Sequence, residues 1–217
     1  MDKSLKLRSI EVIRNSKFNV ENVPTASSDE QIQVEELVLK KYEELHVKLK
    51  FNIRLPELLK EQHKKYLYET LFYLPSIYEC LDASRPWLCY WILHPLSLFG
   101  VRIDERRKSA IVKFLNKCQC PDGGFGGGPG QYAHLASTYA AVLALVILGT
   151  EEALNAIDRQ KLEDFLWSVR EPDGSFAMHV GGEIDIRGAY CAMTVASITG
   201  ILTPELCKGT AEWIVRY

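Results

Sequence analysis

Hydrophobic and polar positions along this chain follow the period of amphipathic helices. Apolar residues first recur at helical spacing after position 31, at Val34, Leu37, Val38, Tyr42 and Leu45. The stretch from Leu58 to Tyr73 repeats the pattern, with charged residues on its opposite side. This periodicity predicts two amphipathic helices ahead of the rest of the chain.

Later segments divide into two kinds of helix. Lys161 to Arg170 alternates apolar and charged faces, which predicts an outer helix ending in an exposed charge at Arg170. Thr138 to Leu148 is apolar on all sides and is followed by Gly149, a residue typical of a helix C-cap. A helix that is apolar all round is buried, so each unit is expected to contain one outer and one inner helix.

An internal repeat joins these helices into units. Three anchors recur 51 positions later, namely the Pro121 to Phe125 turn at Pro172 to Phe176, Tyr139 at Tyr190, and Gly149 at Gly200. A looser copy spans Tyr90 to Gly100. The repeat units near 85–100, 101–149 and 150–200 predict an all-α fold, either a two-layer solenoid or an α/α toroid, with the turns gathered around a central cavity.

Composition adds a domain boundary and excludes some partners. Residues 1–30 are polar and turn-rich, which predicts a mobile arm ahead of one domain at 31–217. A net charge of -2 gives no reason to expect nucleic-acid binding. The chain shows neither a secretory leader nor a long apolar run, so we expect a cytoplasmic protein without membrane insertion. Six cysteines without C-x-x-C pairs indicate reduced, packing thiols.

Two tryptophans are the first candidates for ligand contact. Trp87 and Trp91 stand at i and i+4, hence on one face of a helix that starts at Pro86. Two large indoles beside a cavity would make a wall for an apolar ligand. An aromatic core stripe would produce the same spacing.

The glycine-rich run from Gly123 to Gly130 does not have the features of a phosphate loop. No strand precedes it and no Gly-Lys-Ser/Thr ends it, so its expected task is a sharp turn or a close backbone approach. His134, just after it, could serve as a base, a ligand or a hydrogen-bond donor, or could be structural.

A second polar group lies between His179 and Arg187. As a metal site it lacks a third ligand, and two glycines keep His179 and Glu183 off a shared helix face. An anion site suits these residues better than a metal site does, because Arg187, held by Glu183, could offer several donors to a carboxylate or phosphate. A surface salt-bridge loop is the alternative.

Long motifs in this sequence resemble a known family. They run from Tyr78 to Trp91, from Gly123 to Tyr132, from His134 to Ala136, and from Asp173 to Arg187. Together they closely resemble the β subunits of protein farnesyltransferases, over about residues 56–217. The resemblance implies a partial α/α toroid of the kind shared by prenyltransferases and terpenoid cyclases.

The resemblance also implies an activity and partners. Such an enzyme moves farnesyl from farnesyl diphosphate to the cysteine thiol of a C-terminal CaaX protein, using one zinc ion and an α subunit as the heterodimer partner. Zinc would lower the thiol pKa.

Site roles are implied residue by residue. The isoprenoid-lining residues would be Trp87, Arg187 and Tyr190, with Trp87 also limiting isoprenoid length. The peptide-binding residues would be Ser84, Trp87, Trp91, His134, Ala136, Glu183 and Arg187, of which His134, Glu183 and Arg187 would form a water-linked cradle for the peptide carboxylate.

Several features depart from the family pattern. Ser137 and Gly188 replace a usual proline and serine, and Pro95 enters a helix that it should kink near Trp91. The zinc and diphosphate ligands are expected in later repeats, beyond Tyr217. We therefore expect a fragment that is inactive alone; the alternative is a non-catalytic protein that binds an α subunit or a lipidated peptide. A terpene-cyclase role lacks an Asp-rich motif.

Overall fold

The computed structural model describes residues 23–51 and 57–216, which divide into two compact units, Met1–Leu58 and Leu59–Tyr217. The first unit contains α1 (Ala26–Lys50). The second contains, in chain order, α2 (Lys60–Thr70), a 3-10 helix (Ser76–Ser84), α3 (Arg85–Leu98), α4 (Glu105–Cys118), α5 (Leu135–Leu148), α6 (Glu151–Asn155), α7 (Arg159–Ser168), α8 (Ile186–Thr199), α9 (Pro204–Cys207) and α10 (Thr210–Arg216).

Helix α1 begins inside the segment predicted as an arm. Thr25 and Ser28 form a reciprocal capping box, in which the Ser28 backbone N–H donates to Thr25 Oγ1 at 3.1 Å and the Thr25 N–H donates to Ser28 Oγ at 2.8 Å. Serine and threonine there start a helix where composition indicated a loop. The predicted arm up to position 22 lies outside the described residues.

Three inner helices lie side by side in the second unit. Helix α5 packs between α3 and α8, while α4 and α7 pack on the outer side of α5 and α8. Helix α5 is buried along most of its length, because small and branched apolar residues surround it. The predicted division into buried inner and amphipathic outer helices is confirmed, and the core of the unit lies between these two layers.

The 51-residue offset holds in the backbone. Helix α5 and helix α8 have equal lengths and start 51 positions apart. Each ends at a left-handed glycine, Gly149 with φ 64° and Gly200 with φ 74°, as predicted for the C-caps. Isolated bridges pair Gln119 with Phe125 in one unit and Arg170 with Phe176 in the next. Sequence repeat and structural repeat are the same unit.

The Pro-Asp-Gly turns pack against the following outer helix. Gly123 has φ 90°, and a Cβ built on it would lie 1.8 Å from the carbonyl oxygen of Lys161 in α7. Gly174, with the same φ, would place a Cβ 2.3 Å from the carbonyl carbon of Gly209. Glycine is required at both positions by φ and by the close approach of the next unit.

Two expectations from the sequence concern a kink at Pro95 and an exposed charge at Arg170. Helix α3 continues through Pro95 to Leu98, although proline removes one backbone donor. The expected exposed charge at Arg170 is wrong. The Arg170 guanidinium is half-buried and donates to the carbonyl oxygens of Leu206 at 3.1 Å, of Glu171 at 3.2 Å and of Lys208. These contacts connect the end of α7 to the C-terminal end of α9.

Candidate functional site

A row of aromatic rings crosses the three inner helices. Trp87 in α3 lies with its ring centroid 5.3 Å from that of Trp91 and 5.6 Å from that of Tyr139 in α5. Tyr139 continues the row to Tyr190 in α8, at 5.6 Å. Trp91 is 49% exposed and Tyr190 is 61% exposed, so both ends of the row are open to contact. We call these four side chains the aromatic row.

Tyrosine hydroxyl groups lie close to other polar atoms beside the aromatic row. The hydroxyl oxygens of Tyr139 and Tyr190 are 3.5 Å apart, and the Tyr90 hydroxyl lies 3.0 Å from His94 Nδ1. The Tyr90 ring packs edge-on against Trp87 and Tyr139, at 5.9 Å from each. Burial, with further contributions from the hydroxyls of Tyr190 and Tyr90, raises the pKa of Tyr139. Tyr139 therefore stays neutral and presents an apolar face.

An ion-pair cluster lies one helical turn before Tyr190. Arg187 Nε is 2.9 Å from Asp185 Oδ1 and its NH2 is 2.5 Å from Asp185 Oδ2, while NH2 is 3.3 Å from Glu183 Oε1. Asp185 also caps α8, accepting from the Arg187 backbone N–H at 2.8 Å. The Arg187 side chain holds the pKa of Asp185 below its usual value. Residues three apart share a helix face, so Arg187 and Tyr190 lie on one side of α8.

His134 lies near this cluster from the start of α5. It caps the helix, because its Nδ1 accepts from the Ala136 backbone N–H at 3.1 Å. Its ring centroid lies 5.6 Å from that of His179, whose Nε2 is 3.9 Å from Glu183 Oε2. Burial lowers the pKa of His134, and His179 adds to the effect. His134, Glu183 and Arg187, which sequence reasoning placed together, lie in one neighbourhood.

Ser84 and Ala136 occupy the starts of inner helices. Ser84 is half-buried at the junction of the 3-10 helix and α3. There the Arg85 N–H donates to the Gly127 carbonyl at 2.8 Å, and a Cβ on Gly127 would lie 1.9 Å from the Ala83 carbonyl oxygen. The glycine-rich run thus passes close to the neighbouring backbone, in agreement with its interpretation as a close-approach segment.

An open cavity of about 920 Å³ lies beside the turns. Its lining includes His134 and His179 together with Gln119, Asp122 and Tyr132. Among the described residues, the aromatic row does not contribute to this lining. Of the two Pro-Asp-Gly turns, the one at 121–123 lines this cavity, so the gathering of both turns around one cavity stays a prediction; the aromatic row forms a separate face.

The residues present do not fit a metal ion. Within 23–51 and 57–216, no three His, Cys, Asp or Glu side chains come together in a way that could hold one. In the same ranges, no helix has the length and apolar character needed to cross a membrane.

Hairpin repeats with their turns at the starts of the inner helices define an α/α-toroid protein. A family model described as the prenyltransferase alpha-alpha toroid domain matches residues 58–217. The chain belongs to this family. The predicted fold class and the predicted family membership are thereby confirmed.

Curated relatives agree with this assignment. The chain is 46% identical over 159 residues to the protein farnesyltransferase subunit beta of Arabidopsis thaliana, covering 73% of this chain and 33% of the relative. It is 50% identical over 131 residues to that of Pisum sativum, covering 60% of this chain and 31% of the relative. The chain thus spans about a third of the length of these relatives.

A solved structure was also found, the Candida albicans protein geranylgeranyltransferase-I complexed with GGPP. It is 17% identical, covers 74% of this chain and 65% of that chain, and has a TM-score of 0.40. At this TM-score the match carries no weight, so the assignment rests on the sequence matches.

Sequence reasoning missed three members of the site. Tyr139 was recognised as a repeat anchor but not as the centre of the aromatic row, although its offset from Tyr190 was the available signal. Tyr90 follows Trp87 by three residues in the same helix, a spacing that indicates contact. His179 was not predicted as a site residue, because two glycines separate it from Glu183. The turn that contains these glycines nevertheless brings His179 Nε2 to 3.9 Å from Glu183 Oε2.

Proposed function

We propose that this chain is part of a protein farnesyltransferase β subunit. The observation that carries the proposal is the aromatic row lying beside the Arg187 cluster on α8. Such a row offers apolar surface to a prenyl chain, and aromatic side chains contribute large contact areas. The relatives are farnesyltransferase β subunits by name, which supports the fifteen-carbon donor.

The proposed roles divide by chemistry. Tyr139, Tyr190 and Arg187 contact the farnesyl chain, and Trp87 and Trp91 contact both the chain and the peptide. Ser84, Ala136, His134, Glu183 and Arg187 position the C-terminal residues of a CaaX protein. The exposure of Trp91 and Tyr190 supports the lipid role, and the positions of Ser84, His134 and Ala136 at the starts of inner helices support the peptide role.

The proposed reaction breaks the bond between C1 of farnesyl and the diphosphate oxygen and forms a bond between C1 and the cysteine sulfur. Diphosphate leaves with the electron pair of the broken C–O bond, and the thiol proton is released to solvent. The zinc ion and the groups that grip the diphosphate belong, in this proposal, outside the described residues. An α subunit would complete the heterodimer in the cytoplasm.

A transfer assay tests the proposal. The full-length β subunit that contains this chain is assembled with its α subunit and mixed with farnesyl diphosphate and a fluorescent CaaX peptide, and farnesylated peptide is measured by chromatography. We expect product with the cysteine peptide, none with the matched serine peptide, and preference for the fifteen-carbon donor over the twenty-carbon donor. Absence of transfer with a correctly assembled heterodimer would refute the proposal.

A further inference from the structure

Two neighbouring histidines at the edge of the Arg187 cluster, His134 and His179, are held in opposite tautomers. His134 Nδ1 accepts from the Ala136 N–H, so the proton of the neutral His134 ring lies on Nε2. His179 Nδ1 lies 3.1 Å from the Val180 carbonyl oxygen, which can only accept. The His179 proton therefore lies on Nδ1, and its Nε2 is bare.

Of these two rings, His179 can gain a proton without losing a hydrogen bond. A proton on His134 Nδ1 would break the cap of α5, and burial already lowers the pKa of His134. A proton on His179 would go to Nε2, the atom that lies 3.9 Å from Glu183 Oε2. The new charge would therefore face a carboxylate.

The position of the His179 ring is fixed by its own turn. The Gly182 N–H donates to the His179 carbonyl at 2.8 Å, which closes the turn. A Cβ built on Gly182 would lie 2.7 Å from His179 Cδ2 and Nε2, so the ring lies against the Gly182 backbone. The absence of a side chain at Gly182 lets Nε2 approach Glu183.

A proton on His179 would change the net charge of the Arg187 cluster. With both histidines neutral, Arg187 contributes one positive charge against the two negative charges of Glu183 and Asp185. The further titratable groups that line the cavity are Asp122, Cys118, Cys120 and Tyr132. An incoming carboxylate would meet net negative charge, which disfavours its binding, and a ligand that excludes water strengthens this effect.

We propose that His179 is a proton-linked positioning residue, whose imidazole takes a proton from solvent onto Nε2 when a peptide C-terminal carboxylate enters. The charged His179 pairs with Glu183 and offsets the added negative charge, while Asp185 continues to hold Arg187 in place. This inference rests on the proposed function and deepens it, because it adds the regulation of peptide affinity by pH.

Proton uptake on peptide binding tests the inference. The assembled enzyme with bound farnesyl diphosphate is titrated calorimetrically with a thiol-free Ser-a-a-X tetrapeptide in buffers of different ionisation enthalpy. A thiol-free peptide removes protons released by thiolate formation. The free-acid peptide is compared with its C-terminal amide, and the H179Q variant is compared with H63Q, which changes an exposed histidine of α2.

We expect proton uptake with the free acid, none with the amide, and loss of uptake in H179Q but not in H63Q. The affinity for the free acid should fall as the pH rises from about 5 to 8, the range in which an ordinary histidine loses its charge, and H179Q should flatten this profile. Binding without proton uptake, or unchanged uptake in H179Q, would overturn the inference and leave the proposed function standing. Absence of any peptide binding would overturn both.

Discussion

Tyr139 and Tyr190, which are 51 positions apart in the sequence, stand on adjacent inner helices with their hydroxyl oxygens 3.5 Å apart and their ring centroids 5.6 Å apart. The repeat therefore places the same residue type at the same height on successive helices. Because the tyrosine recurs in each repeat, the rings of neighbouring helices are in contact, and Trp87 of α3 extends this contact to a third helix.

The size of Trp87 should limit the length of the lipid. We expect W87T in the assembled enzyme to let the twenty-carbon diphosphate compete with the fifteen-carbon one, because the change removes an indole from the middle of the aromatic row. Competition assays with both donors measure the change. W167T is the control, because Trp167 packs against Arg170 in the outer helix α7. Unchanged donor preference in W87T would remove Trp87 from the lipid site.

Arg187 should matter for peptide use more than a solvated arginine does. We expect R187A to raise the KM for the CaaX peptide by roughly ten- to a hundredfold, since a lost hydrogen bond to a charged group costs about 1.5–3 kcal/mol. The matched control is R106A, an exposed position in α4. Arg170 is unsuitable as a control because its guanidinium has three carbonyl partners. Equal KM values in R187A and R106A would contradict the proposed role.

Two glycines with similar dihedrals separate backbone strain from close packing. Gly123 and Gly130 have φ of 90° and 75°, but a Cβ on Gly130 would meet nothing within 4 Å, whereas one on Gly123 would meet Lys161. We expect G130A to lower the free energy of unfolding by about 1–2 kcal/mol, and G123A by about 1–3 kcal/mol more. Urea denaturation of both variants measures the difference. Equal losses would show that α7 does not pack on this turn.

The cysteines should differ sharply in reactivity. Burial raises the pKa of Cys89 to about 12 and those of Cys118 and Cys191 to about 11, so at pH 8 only about one Cys89 in ten thousand is thiolate. Cys80 is exposed. We expect brief treatment with iodoacetamide to modify Cys80 first and to reach Cys89, Cys118 and Cys191 only after denaturation, because their raised pKa values keep the thiols protonated. Mass spectrometry of the peptides measures this order; rapid modification of Cys89 in the native protein would contradict its burial.

Sequence alone was sufficient for the repeating architecture. The offset between Tyr139 and Tyr190 predicted the spacing of α5 and α8, and Gly149 and Gly200 predicted where they end. These features are local, because hydrophobic period and C-cap chemistry act within a few residues. The start of α1 was missed because a capping box and a polar loop have similar composition.

Contacts between repeat units could not be predicted from the sequence. The carbonyl partners of Arg170 come from residues up to 38 positions away, and no local pattern indicates them. The tautomers of His134 and His179 likewise depend on which backbone atoms approach their rings. Such details follow from the packing of one hairpin on the next, which is set by the whole core.

The position of the prenyl chain is the central claim, and photocrosslinking measures it most directly. A farnesyl diphosphate analogue with a photoreactive terminal group is irradiated with the assembled enzyme, and the labelled peptides are identified by mass spectrometry. We expect the photoreactive group to be attached to α3 around Trp87 and Trp91 or to α8 around Tyr190. Label confined to the cavity lining at Gln119, Asp122 and Tyr132 would contradict it.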